Sequence, residues 1–99
     1  MPDTSLRSID VAERRILRGA ALLALNHAAN GSPAARVDVG AIAVDLKALV
    51  QDVLVQLFVL EGLGLAADVD AGGARITSPG ILMAERLMAG ETAEIYPLK

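Results

Sequence analysis

Residues 53–70 read VLVQLFVLEGLGLAADVD, and residues 72–85 read GGARITSPGILMAE. The first stretch continues a run from Lys47 to Glu61. In that run Val50, Val53, Leu57 and Leu60 recur at helical spacing and predict one buried face. Gly62 and Gly64 are its natural stops, because glycine takes positive φ at no steric cost. Two short arms, Leu65–Asp70 and Ala74–Thr77, then flank Gly72-Gly73, a hairpin turn signal. Ser78-Pro79-Gly80 opens a further helix, with Ser78 expected as its cap and Pro79 at its first position. Gly90 ends that helix after about Ala89.

Upstream, the chain reads as a helix from about Ile9 to Ala29. It opens on an Asp10–Glu13 capping box, with Ser8 as the alternative cap. Ile9, Ile16, Ala20, Leu23 and His27 fall on one stripe, which Leu17, Ala21, Ala24 and Ala28 widen. On this reading the stripe is the core face, and Arg14, Arg15 and Arg18 lie toward the polar side. Asn30-Gly31 is a good stop, and Pro33 prevents resumption. Residues Arg36–Val39 read either as a short strand or as the entry to a helix capped at Asp38. Gly40–Leu46 is a short helical pattern. The expected order is helix, short helix, long helix, hairpin, helix: a mainly α domain over residues 9–89, with a small β-hairpin. Residues 1–8 read as a flexible N-terminus and 90–99 as a tail whose Ile95, Tyr96 and Leu98 offer apolar contacts.

That order, with Leu60-Glu61-Gly62-Leu63-Gly64-Leu65 before the hairpin and Ile76-Thr77-Ser78-Pro79-Gly80 after it, resembles the second half of MarR-, PadR- and ArsR-type winged helix-turn-helix regulators. More distantly, the chain is similar to small winged-helix proteins of transposable bacteriophages. The resemblance spans about residues 9–89. It implies a winged helix-turn-helix fold, a homodimer, and a role in transcription regulation or another nucleic-acid transaction. It also implies that Val50–Glu61 is the helix that enters a DNA groove and that the hairpin is the wing.

Composition bounds these implications. The chain has 99 residues, 54 % hydrophobic, with one Tyr, one Phe and no Trp. This apolar content exceeds that of an average globular domain and excludes disorder of the whole chain. Zero Cys excludes disulfides, thiolate metal sites and a thiol nucleophile. Net charge is −3, whereas domains that live on phosphate backbones are usually basic. The charge is uneven. Residues 1–36 hold five Arg against three acids, for +2, and residues 37–99 hold four cations against nine acids, for −5. No signal peptide or membrane-spanning run is read, and a cytoplasmic location is expected.

The third helix departs from a DNA reader. Base readout needs Arg, Lys, Asn or Gln, and between Val50 and Glu61 there is no Arg or Lys. Away from its expected inward face it carries Leu54, Val55, Phe58 and Val59, a candidate protein interface. The candidate DNA contacts are Arg14, Arg15, Arg18, Arg36, Lys47, Gln51 and Arg75, a set suited to weak phosphate binding of double-stranded DNA with little sequence preference. Three solvated arginines pairing locally with Asp10 and Glu13 are the more economical reading of the first helix. His27 reads as a packing histidine rather than a base, since no partner constellation accompanies it. Gly62-Leu63-Gly64 follows a helix rather than a strand and is no dinucleotide fingerprint. Asp68 and Asp70 lack a third ligand for a cation. The expectation is therefore a non-enzymatic protein without cofactor or metal. Its partner is a second copy or another protein at the apolar third helix, with double-stranded DNA as a weak ligand and no membrane.

Overall fold

The computed structural model describes residues 11–90, so the Asp10 and Ser8 caps, the helix start at Ile9, the 1–8 segment and the tail residues Ile95, Tyr96 and Leu98 lie outside the described residues. Four helices and a small three-stranded antiparallel sheet follow one another as α1 (Val11–Ala29), β1 (Val37–Asp38), α2 (Val39–Leu46), α3 (Val50–Gly62), β2 (Ala66–Asp70), β3 (Gly73–Ile76) and α4 (Ser78–Met88). The strand order is β1-β3-β2. Val37 stands opposite Ala74, and Ala66 opposite Ile76. Among the described residues no helix is long and apolar enough to cross a membrane.

The helix ends follow from local chemistry. α1 stops where Asn30 and Gly31 both turn left-handed, with φ of 55° and 70°. Asp38 caps α2, its side chain accepting from the Ala41 N–H at 3.0 Å. α3 ends in a Schellman arrangement: Leu65 N–H donates to Leu60 C=O at 2.9 Å and Gly64 N–H to Glu61 C=O at 3.0 Å. Gly64 carries the positive φ of 80° that this turn requires. The cap of α4 is Thr77, not Ser78. Thr77 Oγ1 accepts from Gly80 N–H at 3.0 Å and donates to Gly64 C=O at 2.7 Å. The hydroxyl one residue earlier wins because it also reaches the turn that closes α3.

The hairpin arms alternate with one irregularity. Ala66 and Val69 are both buried although three residues apart. The pairing shifts between Ala67 and Asp70, and Asp68 takes φ of 53°. This bulge inserts one residue, resets the inward face and makes the alternation hard to read from sequence.

The core lies between α1, α2, α3 and the inner face of the sheet. Leu22, Leu25, Val39, Ile42, Val53, Leu57, Leu60 and Ile76 are its fully buried large side chains. α1 turns inward one edge of the stripe its periodicity suggests, with Ala21 and Ala24, rather than its centre. Arg18, Ala21, Leu22, Leu25 and Ala29 are buried, whereas Ile16 and His27 are exposed and Ala20 and Leu23 only half-buried. Both stripes are helically spaced, because an Ala/Leu-rich helix is apolar nearly all round, and periodicity alone does not choose between them. α3 begins at Val50 rather than Lys47, after a turn in which Lys47 takes the left-handed conformation. Val50, expected inside, is half-exposed at that helix start.

Candidate interaction surface

α3 offers two opposed faces. Val53, Gln56, Leu57 and Leu60 face the core. Gln51, Val55, Phe58 and Gly62, at successive steps of four, three and four, make the outer ridge, and all four are exposed. Leu54 and Val59 flank the ridge half-buried. Val55 is 54 % exposed and Phe58 47 %. At the near end Leu49 and Val50 extend the apolar surface, and Val44 of α2 is exposed on the other side of the turn. The face selected from sequence as an interface is therefore the outward face of α3.

The candidate cations are scattered. Arg18 is buried in the α1–α3 interface at 8 % exposure, its Nε donating to Gln56 Oε1 at 2.9 Å. Gln56 is the buried partner that sequence reasoning did not assign to Arg18. Its position among α3's core residues is the signal that it faces inward. Arg36 reaches the turn end of the hairpin: Nη1 donates to the Asp68 C=O at 2.8 Å, and Nη2 pairs with the Asp70 carboxylate. Arg75 pairs with the Asp68 carboxylate. Arg14 and Lys47 are exposed and Arg15 half-buried, on α1 and in the α2–α3 turn respectively. Gln51 lies on the outer ridge.

The hairpin's charges are turned on one another. Asp70 Oδ1 accepts from Gly72 N–H at 2.8 Å and Gly73 N–H at 3.1 Å as well as from Arg36. These donors, the Gly72 N–H foremost and the Arg36 charge after it, hold the Asp70 carboxyl below its usual 3.8. Asp68 and Asp70 are thus occupied as hairpin struts rather than arranged as cation ligands.

Two shallow recesses lie on the outer side of α1 and share Leu23 and His27. One, of about 370 Å³, is completed by Asn26, Asn30, Gly31 and Met88. The other, of about 300 Å³, reaches Asp45 and Leu46 of α2. They occupy the stripe that sequence periodicity assigns to the core. No family profile, curated protein or solved structure matches the chain.

Proposed function

We propose that this chain is a winged-helix module that binds protein rather than reading DNA, with the outer face of α3 as its docking surface. The element order and the β1-β3-β2 sheet support the winged-helix part. The observation that carries the docking part is the half-exposed Val55–Phe58 ridge on the helix that the fold would present to a groove. Valine and phenylalanine have no donor for a base edge and no charge for a phosphate. Asp52 and Glu61 on the same helix repel a phosphate backbone. Contiguous exposed apolar surface on a small domain marks a contact with another macromolecule. The role is one of binding, without catalysis.

A second reading is an accessory factor with weak duplex DNA binding. It is favoured by Arg14, Arg15 and Lys47, which keep some or most of their surface in solvent. A salt titration separates the two. Binding of a labelled random-sequence duplex is followed by fluorescence anisotropy between 50 and 200 mM salt. Protein docking predicts weak affinity and a slope corresponding to about two phosphate contacts or fewer. Submicromolar binding at physiological salt, with a steep slope that flattens by about two on changing Arg14 and Arg15 to Ala, establishes the DNA reading instead.

A further inference from the structure

We propose that the Asn30–Gly31 step at the end of α1 is a self-modification site, where the Asn30 carboxamide is converted to a carboxylate without an enzyme. This holds whatever docks on α3.

The chemistry is intramolecular. The deprotonated backbone nitrogen of Gly31 attacks Cγ of Asn30. A C–N bond forms, the side-chain nitrogen leaves as ammonia, and a five-membered succinimide closes. Water then opens the ring at one of its two carbonyls. Opening at Cγ gives aspartate. Opening at the main-chain carbonyl of residue 30 gives isoaspartate, in which the chain runs on through Cβ and Cγ. One water is consumed and one ammonia released, with no change of oxidation state.

An asparagine reacts in this way when the following nitrogen is unhindered and the carboxamide is free to turn toward it. Asn30 and Gly31 are both exposed. The Asn30 carboxamide has no hydrogen bond among the described residues. A Cβ added at Gly31 would meet nothing within 4 Å, so no neighbour crowds the attack. Both residues have already left helical backbone, with φ of 55° and 70°. One bond restrains the nitrogen: Gly31 N–H donates to Asn26 C=O at 3.2 Å. That bond closes the last turn of a helix, where opening costs least.

The chain carries its own control. Its other asparagine, Asn26, stands about one turn earlier. Asn26 is half-buried with its Oδ1 enclosed, and the residue after it is His27, inside α1. There the helical ladder holds the attacking nitrogen and an imidazole side chain hinders it.

The products alter the turn and the recess beside it. Three main-chain bonds close α1: Asn30 N–H to His27 C=O at 3.1 Å, Gly31 N–H to Asn26 C=O at 3.2 Å, and Ser32 N–H to Ala29 C=O at 3.0 Å. Isoaspartate adds a carbon to the main chain between the first donor and the other two, so the last two bonds lose their spacing. Either product sets a carboxylate at a helix C-terminus, the end whose dipole disfavours negative charge. The net charge of −3 becomes one unit more negative. Asn30 and Gly31 also line the recess of about 370 Å³ that Met88 of α4 shares. The reaction thus puts a charge into that recess and loosens the turn that bounds it, a one-way change that accumulates as the molecule ages.

In the test, the full folded chain is held at mildly alkaline pH and sampled over days by anion exchange and peptide mass mapping. An acidic species accumulates with the mass gain of amide-to-acid conversion at residue 30, isoaspartate in excess of aspartate. Asn26 converts at least about tenfold more slowly, and the folded chain reacts within about tenfold of the urea-unfolded chain, as a low-cost opening at a helix end requires. Asn30→Gln, whose longer side chain must close a six-membered ring, gives no acidic species. Gly31→Ala slows conversion about tenfold in urea as well as in buffer, because its Cβ obstructs the nitrogen and narrows the backbone whatever the fold. In the isoaspartyl fraction amide exchange speeds at Gly31 and Ser32, and the Met88 methyl resonance moves. Asn30→Asp, with the charge but not the extra carbon, moves Met88 and leaves the two amides protected. A folded chain that forms no acidic species, or that converts more than about tenfold slower than the unfolded chain, overturns the proposal. So does conversion at Asn26 as fast as at Asn30. An unmoved Met88 resonance in the converted chain removes the link to the recess.

Discussion

The hairpin β2–β3 and the outer face of α3 both stand at the surface, and they meet solvent in opposite ways. The hairpin is rich in charge and closes that charge on itself: Arg36 with Asp70, Arg75 with Asp68, and Asp70 again with the turn amides. The ridge of α3 carries no cation and leaves valine and phenylalanine half in water. In a nucleic-acid binder these two regions would act together, with free cations on both. Here one is occupied in holding its own shape and the other has only dispersion and area to offer. Counting arginines therefore overstates what is available to a phosphate, while burial identifies the surface that remains unsatisfied.

The change with the largest expected effect removes the support that both regions share. Gly80 packs so closely on the end of α3 that an added Cβ would overlap the Leu65 carbonyl oxygen and come within 2.8 Å of Ile76 Cγ1. Backbone atoms cannot give way as a flexible side chain does. Gly80→Ala is expected to cost about 3 kcal/mol or more, read as a shift of the urea midpoint. A near-neutral result would mean that α4 can move away from the hairpin.

The inner face of α3 sharpens the contrast with its outer face. Leu57 is fully buried and Phe58, next in the chain, is half-exposed. Leu57→Ala should lose about 3 kcal/mol of stability. Phe58→Ala should stay within about 0.5 kcal/mol of wild type. Equal effects would erase the distinction between core and docking face. Gln56→Ala should fall between them, at about 2 kcal/mol, because it strips an acceptor from a buried guanidinium. Chemical denaturation of the three variants side by side gives the order.

The smallest effect concerns the hairpin's own chemistry. The Asp70 carboxyl is held below its ordinary value in the folded chain. Its contribution is then complete above the unfolded aspartate value of 3.8 and is lost as pH falls through the lower folded value. An NMR titration should show Asp70 protonating below 3.8. Asp70→Ala should abolish that acid-side dependence and speed amide exchange at Gly72 and Gly73. Unchanged exchange would show that the turn holds without its aspartate.

Much of the architecture was legible because its punctuation is local. Asn30-Gly31, Gly64 and Gly72-Gly73 act through their own backbone and Asp38 through a carboxylate that reaches an amide three residues on, and each sits where the sequence reading put it. What sequence could not decide depends on tertiary company. The core face of α1 was ambiguous because Ile16–Ala20–Leu23–His27 and Ala21–Leu22–Leu25–Ala29 are equally apolar stripes. The cap moved from Ser78 to Thr77 because Thr77 also reaches Gly64. Arg18, Arg36 and Arg75 looked available as cations, since nothing in the local pattern shows an acceptor 38, 34 or 7 residues away. The α3 ridge was visible in sequence for the opposite reason: subtracting the inward stripe leaves Leu54, Val55, Phe58 and Val59 with no polar neighbour to explain them.

The bond between Arg18 and Gln56 has one more consequence. The inner side of α1 sets Gly19, Ala21, Ala24 and Ala29 beside Leu22 and Leu25, and where the side chains are short they interlock shallowly and resist sliding along a neighbour less than the leucines do. A guanidinium buried against one amide oxygen does not tolerate it. Shifting α1 along α3 by a single residue carries Arg18 about 1.5 Å along the axis and swings it by roughly a quarter turn, away from its acceptor. The pair thus acts as an alignment key beside the leucines of the two helices, adding a directional constraint to a packing that apolar contact alone fixes less sharply.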